Sequence, residues 1–182
     1  MKIEKTRIEG CYLVNPNKQE DDRGKFIKTY HHDEFVRLGL QTEFTEQYFS
    51  YSYNGVLRGL HFQTPPFDHD KLVFCLSGDV LDVVVDLRKG SPTFGKYELF
   101  DLNEQNQRMV YVPSGIAHGF YVRSEIAIMS YNVTSVYSPE HDSGIKWDSV
   151  GIPWPNKNPK LSNRDINLSN FWEYESPFKY ND

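Results

Sequence analysis

The sequence has few cysteines, no long apolar run and no excess of positive charge. Its two cysteines, Cys11 and Cys75, show neither CxxC nor zinc-ligand spacing, which fits a reducing compartment. No stretch approaches the ~20 apolar residues that cross a bilayer, and residues 1–5 lead into no signal-peptide apolar core. We therefore expect a cytoplasmic protein with no membrane partner.

Charge and length narrow the range of partners further. A formal net charge of -5 argues against binding nucleic acid through its phosphates. A length of 182 residues suits one domain with its own core, which we take to span residues 1–182. Aromatic residues make up 15% of the chain, a high share that offers faces for sugars or planar ligands. Small-molecule partners are favoured.

Short runs with alternating apolar and polar residues recur along the chain and predict strands. Turn signals separate them at a spacing that suits antiparallel meanders and Greek keys. The sequence therefore predicts an all-β sandwich or jelly roll with one or two short peripheral helices. One helix is predicted at Asp33–Leu40, with Asp33 as its cap. The runs predicted as strands are Phe26–Tyr30, Lys71–Leu76, Val80–Leu87, Tyr97–Leu102, Arg108–Val112 and Ile126–Val133.

Two segments depart from simple alternation. Residues 80–85 are apolar on both faces except at Asp82, which predicts a strand covered on both sides. The chain turns irregular and proline-rich after Trp147, and residues 173–182 are polar enough that we expect them to fray.

Histidines are the first candidates for proton transfer near neutral pH. Four of the six lie in polar surroundings and are expected to be solvated without a catalytic role: His31, His32, His69 and His141. His61 and His118 each follow a glycine-containing segment and precede an aromatic residue, which favours the inner wall or rim of a barrel. A metal site is disfavoured, because Phe62 and Gln63 follow His61 where many jelly-roll metal sites have a His-x-His pair. We expect neither a metal nor another cofactor.

The segment Gly55–Pro66, Gly-Val-Leu-Arg-Gly-Leu-His-Phe-Gln-Thr-Pro-Pro, combines a cation, an imidazole and an amide. It resembles the central motif of the dTDP-4-dehydrorhamnose 3,5-epimerases. The resemblance continues through Lys71–Val73, Asp86–Arg88, Ser91–Gly95 and Pro113–Phe120, and covers roughly residues 23–165. It implies a cupin-like jelly roll and a cofactor-independent epimerase acting on a nucleotide-diphospho 4-keto-6-deoxy sugar. It also implies a homodimer in which an N-terminal segment reaches the partner's site.

The resemblance assigns four catalytic roles. His61 matches the base that removes a proton beside the 4-keto group, and Asp165 matches the acid that orients it. Lys71 matches the cation facing the C4 oxygen, where the enolate carries negative charge. Tyr131 matches the residue that gives a proton on the opposite face. Without the resemblance, other interpretations stay open: Asp165 as a loop cap, Lys71 as a solvated strand end and Tyr131 as a core residue.

Further positions match residues that bind the nucleotide sugar. Guanidinium groups suit a diphosphate because their planar fork grips two oxygens. Phe26 is expected against the base and Tyr137 against the sugar. The remaining expected binding residues are Arg23, Lys28, Gln47, Arg58, Gln63, His118, Phe120 and Arg164.

Three positions depart from the family pattern, and all concern the nucleotide. Lys28 stands where the family commonly has glutamate, so a base that donates to a carboxylate would not donate here. Without a gap, Glu46 and Tyr48 fall where glutamine and asparagine are usual, whereas a one-residue gap restores Gln47. A CDP-, GDP- or UDP-linked sugar therefore stays open beside dTDP. The residues are also compatible with inversion of C3 or C5 alone, with a 3,4-ketoisomerase, and with a sugar-binding jelly roll that has no catalytic activity.

Overall fold

A computed structural model describes residues 1–180 of the chain. Most of the regular structure is β-strand, with two short α-helices and one 3₁₀ turn at Phe171–Glu173. The helices are α1, His32–Leu38, and α2, Asn163–Ile166. The strands are β1 Lys2–Lys5, β2 Tyr12–Asn15, β3 Asn17–Asp21, β4 Gly24–Lys28, β5 Glu46–Tyr53, β6 Leu57–Gln63, β7 Lys71–Ser77, β8 Asp79–Asp86, β9 Tyr97–Asn103, β10 Met109–Val112, β11 Ile116–Val122, β12 Ile126–Val133 and β13 Asp142–Gly144.

Two antiparallel sheets form the body of the molecule. One has the order β1-β2-β10-β7-β12-β5 and the other the order β13-β6-β11-β8-β9. The core between them is built from small and branched apolar side chains such as Val73, Val84 and Val110, all fully buried. This arrangement confirms the prediction of an all-β jelly-roll sandwich with short peripheral helices.

The outer face of the five-stranded sheet is also buried, which explains why β8 has apolar residues on both sides. Val84 belongs to the core between the sheets, whereas Val83 and Val85 belong to a second cluster outside it. That cluster is completed by Trp154 and Phe178 from the segment that follows β13. The proline-rich segment after Trp147 is therefore a third layer that covers the sheet.

The C-terminal segment does not fray over residues 173–180, contrary to expectation. Phe178 is buried, and Ser176 donates its hydroxyl to the Leu87 carbonyl. The Tyr180 amide donates to the Lys89 carbonyl at 3.0 Å. Composition suggested a free end, but one buried aromatic ring and these hydrogen bonds attach it to the body. Residues 181 and 182 lie outside the described residues.

Helix α1 covers the outer face of the six-stranded sheet. Its Phe35 is fully buried in a cluster with Leu72 and Phe74 of β7. The helix begins one residue before the predicted start, because His31 is the N-cap and Asp33 lies in the first turn. It ends at Leu38, two residues before the predicted end, because the C-cap Gly39 has a φ of 71°, the left-handed conformation that favours glycine at a helix end.

Strands β3 and β4 form a hairpin outside both main sheets. Nine of their ten residues are exposed. Within residues 1–180, no helix has the length and apolar character needed to span a membrane.

Candidate active site

A cleft with two connected lobes lies between the sheets. The lobes have volumes of about 270 and 260 Å³, and we name them the His69 lobe and the His118 lobe. Both are bounded by Tyr48, His61, Lys71 and Arg164. The His69 lobe also contains Glu46, Phe62, Gln63, His69, Val133, Ser135, Tyr137 and Asp142. The His118 lobe also contains Ser50, Arg58, His118, Phe120 and Tyr131.

His61 forms a close pair with Asp165. Its Nε2 lies 2.6 Å from Asp165 Oδ1, although 104 residues separate the two in the chain. Asp165 is held in helix α2, where its backbone N–H donates to the N-cap Ser162 Oγ at 3.1 Å. The Asp165 side chain is almost wholly buried, so the carboxylate and the imidazole interact with little competition from water.

The protonation states of this pair follow from its surroundings. Burial raises the pKa of Asp165, but hydrogen bonds from His61 and Ser162 outweigh it and keep that pKa below its usual value. Burial lowers the pKa of His61, and Asp165 offsets only part of this. A carboxylate can only accept, so His61 Nε2 carries the proton and Nδ1 keeps a free lone pair. His61 is therefore arranged as a neutral base.

Lys71 is a buried ammonium group rather than a solvated strand end. It begins β7, is 7% exposed, and donates from Nζ to the His61 carbonyl at 3.2 Å. Burial lowers its pKa to about 8, and the carboxylates of Asp142 and Asp82 offset part of that effect. The group carries a positive charge at neutral pH in a site where charge is weakly screened.

Tyr131 enters the cleft from β12, in the six-stranded sheet. Its side chain is 7% exposed, and burial raises its pKa well above the usual range. Its hydroxyl lies 3.4 Å from Ser50 Oγ. The ring stacks on that of Tyr48, with centroids 4.8 Å apart and planes at 16°. The phenol therefore keeps its proton at neutral pH and can act as a donor.

His118 stands directly opposite His61 in the pairing of β11 with β6. Those strands approach closely because Gly59 faces Gly119, where an added Cβ on Gly59 would meet the Gly119 Cα at 2.6 Å. His118 Nε2 lies 2.8 Å from the Oδ2 of Asp82, which is fully buried. Burial raises the pKa of Asp82, and His118 offsets part of that. A second His-Asp pair thus lines the cleft.

Asp82 was not predicted as a site residue from the sequence. The sequence does indicate it, because Asp82 is the one polar residue within the apolar run 80–85. A carboxylate at such a position needs a buried partner, and the cross-strand pairing of Asp82 with Phe120 brings it beside β11, which carries His118.

His69 was not predicted as a site residue either, and the expectation that it is solvated is wrong. It is half-buried in the cleft wall, with Nδ1 3.0 Å from Ser135 Oγ. The Ser135 hydroxyl donates its single proton to the Phe67 carbonyl, so His69 Nδ1 must be the donor to Ser135. Burial, and then the charge of Lys71, lower the pKa of His69 to about 3. It is a neutral ring whose orientation is fixed.

Six of the predicted binding residues line the cleft, one of them being His118, described above. Arg58 lies in the His118 lobe, where its Nε donates to Ser52 Oγ at 2.9 Å. Arg164 reaches both lobes and donates to Asp142 Oδ1 at 2.8 Å. The others are Gln63, which donates to the Phe67 carbonyl, Phe120, which is part of the core between the sheets, and Tyr137, whose hydroxyl contacts Asp142.

Gln47 lies outside the cleft of its own chain. Side chains on β5 alternate between the two faces of the strand, and Glu46, Tyr48 and Ser50 face the cleft. Gln47 is therefore on the opposite face, where it is exposed. Glu46 and Tyr48, which an ungapped count places at the two family positions, are the residues that face the cleft.

Arg23, Phe26 and Lys28 are not brought to the cleft of their own chain. They lie on the β3–β4 hairpin, where Arg23 pairs with Asp21 at 2.6 Å and Phe26 is 64% exposed. Within residues 1–180, no three His, Cys, Asp or Glu side chains cluster as they would around a metal ion.

Comparisons with known proteins agree with this geometry. A family model described as dTDP-4-dehydrorhamnose 3,5-epimerase matches residues 5–173. The enzyme of that name from Shigella flexneri is 41% identical over 174 residues, covering 94% of this chain and 96% of the relative. A dTDP-4-dehydrorhamnose 3-epimerase from Streptomyces niveus is 38% identical over 168 residues, covering 91% and 81%.

A solved structure shares the fold over the whole chain. The dTDP-6-deoxy-D-glucose-3,5-epimerase from Legionella pneumophila, crystallised in complex with dTDP-4-keto-L-rhamnose, superposes with a TM-score of 0.94 at 35% identity. The match covers 100% of this chain and 99% of that one. Sequence, fold and the contents of the cleft agree, and the chain belongs to the dTDP-4-dehydrorhamnose 3,5-epimerase family.

Proposed function

We propose that the protein inverts C3 and C5 of dTDP-4-dehydro-6-deoxy-D-glucose to give dTDP-4-dehydro-L-rhamnose, without a metal or other cofactor. The observation that carries the proposal is that the base and the acid come from different sheets. His61 comes from β6 of the five-stranded sheet and Tyr131 from β12 of the six-stranded sheet. Both line one cleft, which supports proton transfer on opposite faces of a sugar held between them.

The first step removes a proton next to the keto group. His61 Nδ1 takes the proton from C3 or C5, and the electrons of the broken C–H bond move onto the C4 oxygen as an enolate. The Lys71 ammonium stabilises that negative charge, which is greater in the transition state than in the ketone. Asp165 stabilises the imidazolium that forms.

The second step returns a proton to the other face. The enolate carbon takes the proton of the Tyr131 hydroxyl, a new C–H bond forms with inverted configuration, and the C4 ketone is restored. The phenolate then regains a proton from solvent, and His61 releases the one it took. Repeating both steps at the second carbon completes the double inversion, and no group is oxidised or reduced.

The experiment that tests this is deuterium incorporation in D₂O. The protein is incubated with dTDP-4-dehydro-6-deoxy-D-glucose, and C3 and C5 are followed by NMR, with His61→Ala as the control. Deuterium at both carbons in the inverted product, lost in the variant, is the expected result. Deuterium at one carbon would indicate a single-centre epimerase, as named for the Streptomyces niveus relative. No exchange at either carbon would refute the proposed reaction.

Two arginines are proposed to bind the diphosphate. Arg58 and Arg164 bring guanidinium groups to the lobe that His61 also lines. His118 shares its lobe with Arg58, which supports a contact on the phosphate side of the substrate. We assign Tyr137 to the sugar, because its half-exposed ring stands in the wall of the His69 lobe.

We also propose that the protein is a homodimer in which the β3–β4 hairpin completes the partner's cleft. An isolated two-stranded hairpin is marginally stable in water, so this one needs a surface to cover it. The outer face of edge strand β5 exposes Phe49 and Tyr53, at 69% and 62%, which supplies apolar area for a second copy. Arg23, Phe26 and Lys28 then act in the neighbouring site.

Complementation tests the exchanged hairpin. Phe26→Ala and His61→Ala homodimers should each be impaired, and mixing them after dissociation should restore activity, because one cleft of the mixed dimer is then intact. No gain on mixing, or a monomer by light scattering, would refute the shared site. We propose a cytoplasmic location, which the free thiols of Cys11 and Cys75 support and cell fractionation would test.

A further inference from the structure

Tyr48 is part of the cleft and has no role in the proposed reaction. It stands directly opposite Tyr131 in the pairing of β5 with β12. The two rings are stacked, with 4.8 Å between centroids and 16° between planes. Tyr48 is 42% exposed and lines both lobes, whereas Tyr131 is buried. One ring is therefore an accessible wall of the cleft, and it covers one face of the other.

The hydroxyl of Tyr131 is weakly held by hydrogen bonding. Its partner is Ser50 Oγ at 3.4 Å, beyond the usual range for two hydroxyl groups. The ring itself is better constrained, because it packs against His118 edge-on, with centroids 6.1 Å apart, as well as against Tyr48. Ring packing, more than hydrogen bonding, sets the direction of the phenol.

We propose that Tyr48 is a positioning residue for the proton transfer by Tyr131. Its stacked ring holds the phenol toward the face of the substrate opposite His61. This inference rests on the proposed epimerase reaction and adds a residue to it. The contact needs an aromatic face at position 48, and it does not need the Tyr48 hydroxyl.

Positioning matters because the enolate can be protonated from two sides. A proton from Tyr131 gives the inverted centre. A proton from the imidazolium of His61 restores the original centre, and in D₂O that nitrogen exchanges with solvent, so the substrate gains deuterium without inversion. The ratio of deuterium in uninverted substrate to inverted product therefore measures how well Tyr131 competes. A misplaced phenol raises this ratio, whereas general damage to the site lowers both outcomes together.

The experiment compares Tyr48→Ala, Tyr48→Leu and Tyr48→Phe with the unaltered protein, by NMR at low conversion in D₂O. We expect the ratio to rise in Tyr48→Ala and Tyr48→Leu by about 2- to 10-fold, the range that corresponds to loss of an aromatic pair. The fall should appear in kcat for inversion more than in KM. Tyr48→Phe should keep the original ratio. Ser50→Ala, which removes only the long hydrogen bond, should change the ratio less than Tyr48→Ala.

Each outcome decides the question. An equal loss of exchange and inversion in Tyr48→Ala and Tyr48→Leu would overturn the proposal, and so would a shift in Tyr48→Phe as large as that in Tyr48→Ala. Tyr48→Leu retains apolar volume and keeps the test valid if the alanine variant fails to fold. Absence of any exchange with the unaltered protein would count against the epimerase reaction itself, a result distinct from failure of the Tyr48 proposal.

Discussion

Asp165→Asn is expected to remove most of the activity while keeping the volume of the side chain. The change acts on a single contact, the 2.6 Å pair between Asp165 Oδ1 and His61 Nε2. The carboxylate holds the proton on Nε2 and leaves Nδ1 free to act as the base. An amide at position 165 can instead donate to Nε2, which forces the proton onto Nδ1 and removes the base.

The size of the loss follows from two effects. A hydrogen bond to a charged group contributes about 1.5–3 kcal/mol, which is roughly a 10- to 150-fold change. The wrong tautomer adds to this, and the same exchange in a Ser-His-Asp triad lowers kcat by about 10⁴-fold. Because Asp165 is buried and water cannot replace the lost carboxylate, we expect kcat to fall by about 10²- to 10⁴-fold, with a smaller change in KM.

The pH dependence of kcat/KM provides an independent test of this assignment. Burial lowers the pKa of His61, and Asp165 raises it again in part. Removing the carboxylate should therefore lower that pKa further. The acid limb of kcat/KM, where His61 becomes protonated, should move to lower pH in Asp165→Asn even as the plateau falls.

The assay is the initial rate of inversion by NMR across pH 4 to 9, beside thermal unfolding to confirm folding. Asp148→Asn is the matched control, because it makes the same exchange at an exposed carboxylate whose neighbour is Lys146. A plateau within about 3-fold of the unaltered protein, or an acid limb that moves to higher pH, would contradict the assignment of His61 as a base oriented by Asp165.

Three further predictions concern other residues. Because the pKa of Lys71 is about 8, the rate of inversion should fall at alkaline pH as the ammonium loses its charge. Lys71→Met should abolish this alkaline limb of the pH–rate profile and lower kcat by about 10²-fold or more. A pH–rate profile unchanged in the variant would contradict this. The pKa of His69 is about 3 in the folded protein against 6.5 unfolded, so His69 should reduce stability by about 1.4 kcal/mol for each pH unit between about pH 6 and pH 3. Urea unfolding of His69→Gln should show this slope removed, and an equal slope in both proteins would refute it. Lys28→Glu should alter the KM ratio between dTDP- and other nucleotide-linked sugars more than it alters kcat, and unchanged discrimination would exclude Lys28 from nucleotide selection.

Alternation and turn signals were enough to predict several of the strands. Five of the six runs predicted as strands coincide with β7, β8, β9, β10 and β12 to within one residue, and the sixth, Phe26–Tyr30, is shifted by two residues from β4. Period-two patterns are a local property of the chain, so they can be read from the sequence. The helix was predicted one residue late because His31, which makes no side-chain cap, carried no capping signal. The fraying expected at the C-terminus was wrong because composition does not reveal that Phe178 fills a gap in the outer cluster.

For the site residues, too, some features follow from the local sequence and others only from the fold. The sequence by itself determined the fold class, the family motif and the residue types needed for proton transfer. Only the tertiary structure decided which of them meet: Asp165 with His61, Asp82 with His118, and Tyr48 with Tyr131. Strand register decided that Glu46 rather than Gln47 faces the cleft, since a shift of one residue turns every side chain to the other face. Such pairings depend on how distant strands align, and that is fixed by packing of the whole sandwich rather than by any local pattern.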